Sequence, residues 1–162
     1  MTRVAFRRLL TLMPLCLVVA APGIASAFYV APAKEGDTAG QSLIVNREMV
    51  VLTMVGSSAA WNNAMAWGGD AQGSFLCHDV PPGFTTVVGR FRRPTDLLLT
   101  LTTPEGDVWT AGPGERNRDG AAHARLTATG PNTVRVEWED QPGGGDSDYN
   151  DCVVDLSITP AR

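Results

Sequence analysis

Thr133-Val134-Arg135-Val136-Glu137-Trp138-Glu139 and Cys152-Val153-Val154-Asp155-Leu156-Ser157-Ile158 are the two stretches that decide the fold. In the first, Val134, Val136 and Trp138 alternate with Arg135, Glu137 and Glu139; in the second, Cys152, Val154, Leu156 and Ile158 alternate with Val153, Asp155 and Ser157. Side chains leave a strand on opposite faces in turn, so a period of two marks a strand with one buried and one wet face. By that rule Glu139 faces water unless the chain twists at Asp140. Residues 122–129 follow the same pattern: Ala122, Ala124, Leu126 and Ala128 lie on one side, and His123, Arg125, Thr127 and Thr129 on the other. His123 is therefore expected at the surface.

The neighbouring sequence reads the same way. Residues 49–55 are an apolar run of strand length, and residues 74–77 and 85–91 are further short runs. Residues 96–102 put Leu97, Leu99 and Leu101 on one face. Thr103-Pro104-Glu105-Gly106 is a turn signal that makes a hairpin with residues 107–110. Arg90, Arg92 and Arg93 close the 85–91 run and suit a sheet edge, where charge discourages further pairing. Helical periodicity is nearly absent, and residues 59–67 hold one turn at most. Seven to nine short strands punctuated by Gly, Pro and Asp predict an all-β, antiparallel β-sandwich, jelly-roll-like in character.

Residues 1–27 read as a secretory signal peptide. Arg3, Arg7 and Arg8 precede an apolar run from residue 9 to 21, and Ala25-Ser26-Ala27 offers a small-x-small cleavage site. The run is short of the roughly 18–20 apolar residues a membrane span needs, so no span is expected after cleavage. Leu15 before Cys16 is too large for a lipoprotein anchor. Residues 28–162 form one domain, secreted or periplasmic. All seventeen Asp and Glu lie in that domain with ten of the thirteen Lys and Arg, giving a formal charge of −7. Nucleic acid requires a basic footprint and is excluded as a partner. Cleavage leaves Cys77 and Cys152. An even count in an oxidising compartment favours a disulfide over two buried thiols, and both cysteines fall on inward faces of their runs.

The chemistry concentrates in Trp138-Glu139-Asp140-Gln141-Pro142-Gly143-Gly144-Gly145-Asp146-Ser147-Asp148-Tyr149-Asn150-Asp151. Carboxylates this close repel one another unless a divalent cation gathers them. Ca2+ suits the set, because it takes six to eight hard oxygen ligands in flexible geometry, whereas Mg2+ demands a tighter octahedron and no soft ligands are present. Gly143, Gly144 and Gly145 can adopt backbone angles closed to other residues, letting the chain turn tightly. Asp146-x-Asp148-x-Asn150 copies the opening of an EF-hand loop, but Asp151 stands where that loop needs Gly, and Ser157 where it needs Glu. Two alternatives stand beside the cation: an ordinary solvated turn, and a glycosidase acid/base pair with separations of roughly 5–9 Å.

The segment resembles the hallmark of a family of secreted bacterial β-domains found in adhesins and exoproteins, (F/W)-E-D-x-P-G-G-G-D-x-D-(Y/F)-N-D. A second family motif, A-G-(Y/W)-x-N-S-L-G-(Y/W), is similar to Ala59-Ala60-Trp61-Asn62-Asn63-Ala64-Met65-Ala66-Trp67, with Ala in place of its Ser and of the Gly before the last aromatic. The family is regarded as calcium-binding, with its activity largely unassigned. The resemblance implies that Asp146, Asp148, Asn150 and Asp151 line the metal, with Glu139 or Asp140 from the preceding strand and Asn63 from the first half.

Trp61 and Trp67 flank an Asn-rich loop and are candidates for stacking on a sugar, with core packing as the alternative. Cys77-His78-Asp79 carries a thiol-enzyme pattern, but a disulfide at Cys77 leaves it no nucleophile. The expected function is a non-catalytic, calcium-stabilised module that binds a surface glycan or matrix polymer. A purely structural envelope or matrix protein is the alternative, and a hydrolase comes third.

Overall fold

The computed structural model describes residues 28–31, 39–46, 48–68 and 72–160. The proposed signal peptide and its cleavage site lie outside them. Twelve strands follow in chain order: β1 (Phe28–Ala31), β2 (Ser42–Val45), β3 (Glu48–Gly56), β4 (Ala64–Trp67), β5 (Gly73–Leu76), β6 (Thr85–Phe91), β7 (Thr95–Asp96), β8 (Leu99–Thr102), β9 (Val108–Thr110), β10 (Ala124–Gly130), β11 (Thr133–Trp138) and β12 (Cys152–Pro160). Every pairing is antiparallel. A five-stranded sheet, β10-β11-β12-β3-β6, and a four-stranded sheet, β5-β4-β8-β9, enclose the core, with a small β1-β2-β7 sheet beside them. The fold is an all-β sandwich. Among the described residues no helix is long and apolar enough to cross a membrane.

The strand count exceeds seven to nine because several strands are too short or too uniform to show a period. In β4 the contrast is of size, not polarity: Met65 and Trp67 point inward and Ala64 and Ala66 outward. Hydropathy cannot see that alternation, so the segment that left room for a helical turn is a strand. The alternating runs behave as expected. Val134, Val136, Trp138, Cys152, Val154, Leu156 and Ile158 are all buried, and their strands pair in register from Thr133↔Ser157 to Trp138↔Cys152. Leu99 and Leu101 meet them from the other sheet in one continuous core. In residues 122–129 the pattern holds only for Ala124 and Leu126; Ala128 is exposed near a bulge at the end of β10. Thr103 to Gly106 makes the expected hairpin turn, with the Gly106 N–H donating to Thr103 O at 3.0 Å. Exposed Arg90 sits on β6, an edge of the five-stranded sheet.

One covalent link crosses the sandwich. Cys77, just past β5, is joined to Cys152 at the start of β12, with their Cα atoms 6.0 Å apart. The pairing β12–β3 brings the end of the chain against its first long strand, and this long-range choice is what no local pattern could give.

Candidate metal centre

Trp138 and Cys152 face each other across the β11–β12 ladder, so residues 139–151 form an excursion that leaves and re-enters at one point. Its first half turns on glycine. Gly143, Gly144 and Gly145 have φ of 74°, 86° and 43°, in the left-handed region that side chains disfavour. Gly145 is doubly constrained, because a Cβ there would collide with Glu139 Oε1. The second half uses left-handed backbone without glycine, at Ser147 (φ 63°) and Tyr149 (φ 59°). Each such residue costs about 1–3 kcal/mol and persists only where its surroundings hold it.

Those surroundings are explicit. Asp148 N–H donates to Asp146 Oδ1 at 3.3 Å and Asn150 N–H to Asp148 Oδ1 at 3.0 Å, so each acidic side chain braces the backbone two residues on. Tyr149 donates its hydroxyl to Ala122 O at 3.2 Å and lies under the Arg125 guanidinium, 4.9 Å from the ring centre. Ser58 donates its N–H to Asn150 O at 3.0 Å and its hydroxyl to Asn150 Oδ1, while Ser57 Oγ donates to Asp151 O. The loop after β3 thus grips the acidic loop along its far side.

Glu139 is where the structure departs most from the strand period. β11 ends at Trp138, and the Glu139 N–H turns to donate to His123 O at 3.0 Å. The side chain, expected in water, is completely buried, and neither Oε1 nor Oε2 has a hydrogen-bond partner. Burial, then the negative charges of Asp151 and Asp146, push its carboxyl up to about 7; the Gln141 backbone N–H lies near enough to oppose the shift but does not make a well-formed hydrogen bond. A buried polar group is nearly always satisfied, and a buried charge is paired or bound to metal. Two bare carboxylate oxygens beside other acids leave a place where an ion could bind.

The neighbours converge on the same point. Asp140 is buried, accepts 2.7 Å from Asn63 Nδ2, and offers its backbone oxygen to Trp109 Nε1 at 2.7 Å. Asn63 is itself fully buried and its Oδ1 is without a partner. Asp151 accepts the Asp140 N–H at 2.8 Å. Burial, opposed by that hydrogen bond and reinforced by the Asp140 charge, raises the Asp151 carboxyl to about 6. Glu139, Asp140 and Asp151 each place an oxygen within 4.8 Å of the others, and Glu139, Asp146 and Asp148 do the same. Acidic side chains from both ends of the excursion can hold a metal ion. Asn63 and Asn150 enter through hydrogen bonds to Asp140 and Asp148.

A supporting layer was not read from sequence. His123, expected at the surface, is fully buried. β10 begins one residue later, so His123 escapes the strand period. It stacks on Trp109 with ring centres 3.7 Å apart; Nδ1 faces Glu139 O at 2.8 Å and Nε2 faces Asp119 Oδ2 at 2.9 Å. Asp119 Oδ2 also accepts the Gly143 N–H at 2.7 Å. Burial opposes its ionisation, but the donors from Gly143, His123 and Ala121 prevail and bring it down to about 2. Asn117, also buried, ties Thr110 to Ala121 and fixes the turn that presents Asp119. The Asp-x3-His spacing of Asp119 and His123 was the available signal, but it carries meaning only once the strand start is known.

The two tryptophans separate. Trp67 is a core residue, packed against Phe75 and covered by Gly73, where a Cβ would strike its ring. A stacking face for sugar at Trp67 is therefore corrected: size alternation turns it inward. Trp61 is half-buried in the segment between Ser58 and Asn63, both tied to the acidic loop or its base. Comparison with family models, characterised proteins and solved structures finds nothing that matches this chain.

Proposed function

We propose that this is an exported, non-catalytic β-sandwich module that binds calcium at its acidic end and, through the surface ordered there, a cell-surface or matrix component such as a carbohydrate. The observation that carries the calcium reading is Glu139, a fully buried carboxylate with neither oxygen partnered, amid four more carboxylates. The donors are all hard oxygens, the preference of calcium. Left-handed Ser147 and Tyr149 give an irregular loop, better suited to the loose shell of calcium than to the strict octahedron of magnesium. Resemblance to the secreted calcium-binding β-domains and the leader-like residues 1–27 support export, as does the disulfide.

Crowding speaks against a hydrolase. Within each group the carboxylates bring oxygens within 4.8 Å of one another, an arrangement that suits sharing a cation better than flanking a scissile bond at roughly 5–9 Å. Burial of Trp67 favours a second reading, in which calcium only fastens the two sheets at this end and nothing small is bound. Binding of the protein to a panel of glycans and envelope polymers, with calcium and after chelation, separates the two. The module reading expects calcium-dependent binding weakened at least tenfold by Trp61→Ala, with calcium affinity retained. Absence of binding throughout the panel would leave the structural reading.

A further inference from the structure

We infer that the acidic end holds two divalent cations, bridged by the Glu139 carboxylate, an assignment that rests on the calcium reading above. Five carboxylates meet here, but not as one group. Glu139, Asp140 and Asp151 form one triad and Glu139, Asp146 and Asp148 the other; among the described residues no triad mixes the Asp140–Asp151 pair with the Asp146–Asp148 pair. The limit is physical. Calcium holds oxygen at about 2.3–2.6 Å, so two ligands of one ion stand at most about 5 Å apart. An ion centred in either triad is surrounded by that triad's three carboxylates, and neither triad includes the other pair.

Glu139 belongs to both triads, and its two oxygens are both buried and both bare. One ion on each oxygen satisfies both oxygens and both triads. Gly145 preserves the space on one side of that carboxylate, since any side chain there would occupy the position of Oε1. Charge points the same way. None of the five carboxylates makes an ion pair among the described residues. Ionised, the five carry −5, of which one divalent cation leaves −3 and two leave −1.

The two positions differ in character. The inner one has buried Asp140, half-buried Asp151 and the unpartnered Oδ1 of buried Asn63 close to Asp140. Its shell comes mostly from the protein, so it fills first and releases slowly. The outer one has exposed Asp146 and Asp148, so water completes its shell and it binds more weakly. Substituting the exposed pair removes the outer ion without disturbing the core.

Native mass spectrometry and calorimetric titration with calcium count the ions. Two per chain are expected, in two steps. The double substitution Asp146→Asn with Asp148→Asn should leave one, with the tighter step changed less than about tenfold. Glu139→Gln should leave none. A single calcium in the unsubstituted protein overturns the two-ion assignment and leaves the calcium reading standing. No calcium overturns both. The unsubstituted count does not depend on any variant folding.

Discussion

Glu137 and Glu139 stand two residues apart and, by the period of their strand, on one face; the protein treats them in opposite ways. Glu137 stays half-buried on the outer face of the five-stranded sheet and receives Arg125 in a two-point contact at 3.0 and 3.1 Å. Asp155, on the neighbouring strand β12, receives Arg135 in the same manner at 2.9 and 3.0 Å. Glu139 is drawn fully inside, and among the described residues neither it nor the carboxylates around it, buried or exposed, has a basic partner. On the outer face of this sheet Glu137 and Asp155 each have an arginine, whereas Glu48 on β3 is buried without one and accepts the Asn46 N–H instead. Leaving five acids unpaired at one end is a different design, and it makes sense when the counter-charge arrives from solution.

The disulfide ties the acidic end to the sheets. Cys152 follows Asp151 directly, and the Cys77 N–H donates to Asn63 O at 2.8 Å, so the bridge fastens both flanks of the acidic end. Cys77→Ala with Cys152→Ala should lower stability by about 4–5 kcal/mol in the chain-entropy model for a closed loop of this length, measured by denaturant unfolding. Calcium affinity should fall with it. Unchanged affinity would mean that the metal end is independent of the sheets that carry it.

Next in size is the cation. A hundredfold excess of calcium over its dissociation constant should stabilise the protein by about 2.7 kcal/mol, and Asp148→Ala should remove only the weaker, outer ion's share of the gain. Glu139→Gln sharpens the contrast because its sign depends on the ion. Without calcium it removes a buried unpaired charge and should raise the melting temperature at pH 8; with calcium it should remove the gain. Glu137→Gln should do neither.

The pH profile divides the two surfaces again. Burial and like charges hold Glu139 up at about 7 and Asp151 at about 6, both above their ordinary values. Between about pH 4 and pH 7 the folded, cation-free protein therefore binds more protons than the unfolded chain, and its stability falls as pH rises. Saturating calcium binds the ionised forms and should reverse that slope. A cation-free melting temperature that climbs from pH 5 to pH 8 would contradict the burial of Glu139. The smallest expected effect is on the sheet: Arg135→Ala should cost about 0.2–1 kcal/mol, independent of calcium.

Much of this was legible in advance, and the exceptions have physical reasons. Alternation gave β11 and β12 and their buried faces, because polarity and burial coincide there. It misplaced Glu139 and His123 because both sit one residue outside a strand, where the period no longer applies. The left-handed glycines were readable from Gly143-Gly144-Gly145, whereas the same backbone at Ser147 and Tyr149 was not, since it is imposed by Ala122, Arg125 and Ser58 from elsewhere in the chain. Asp119 was invisible for a similar reason. Its role comes from reaching Gly143, and that contact exists only once β10 and β11 are paired.

Calcium titration of the protein beside its Glu139→Gln form, followed by calorimetry and by thermal unfolding, decides whether Glu139 holds a cation. Heat of binding and a raised melting temperature are expected in the unsubstituted protein, and neither in the variant, which stays folded with a calcium-free melting temperature at or above that of the parent. Equal responses in both, or no response in either, would contradict a cation at Glu139 and make residues 139–151 an ordinary acidic turn.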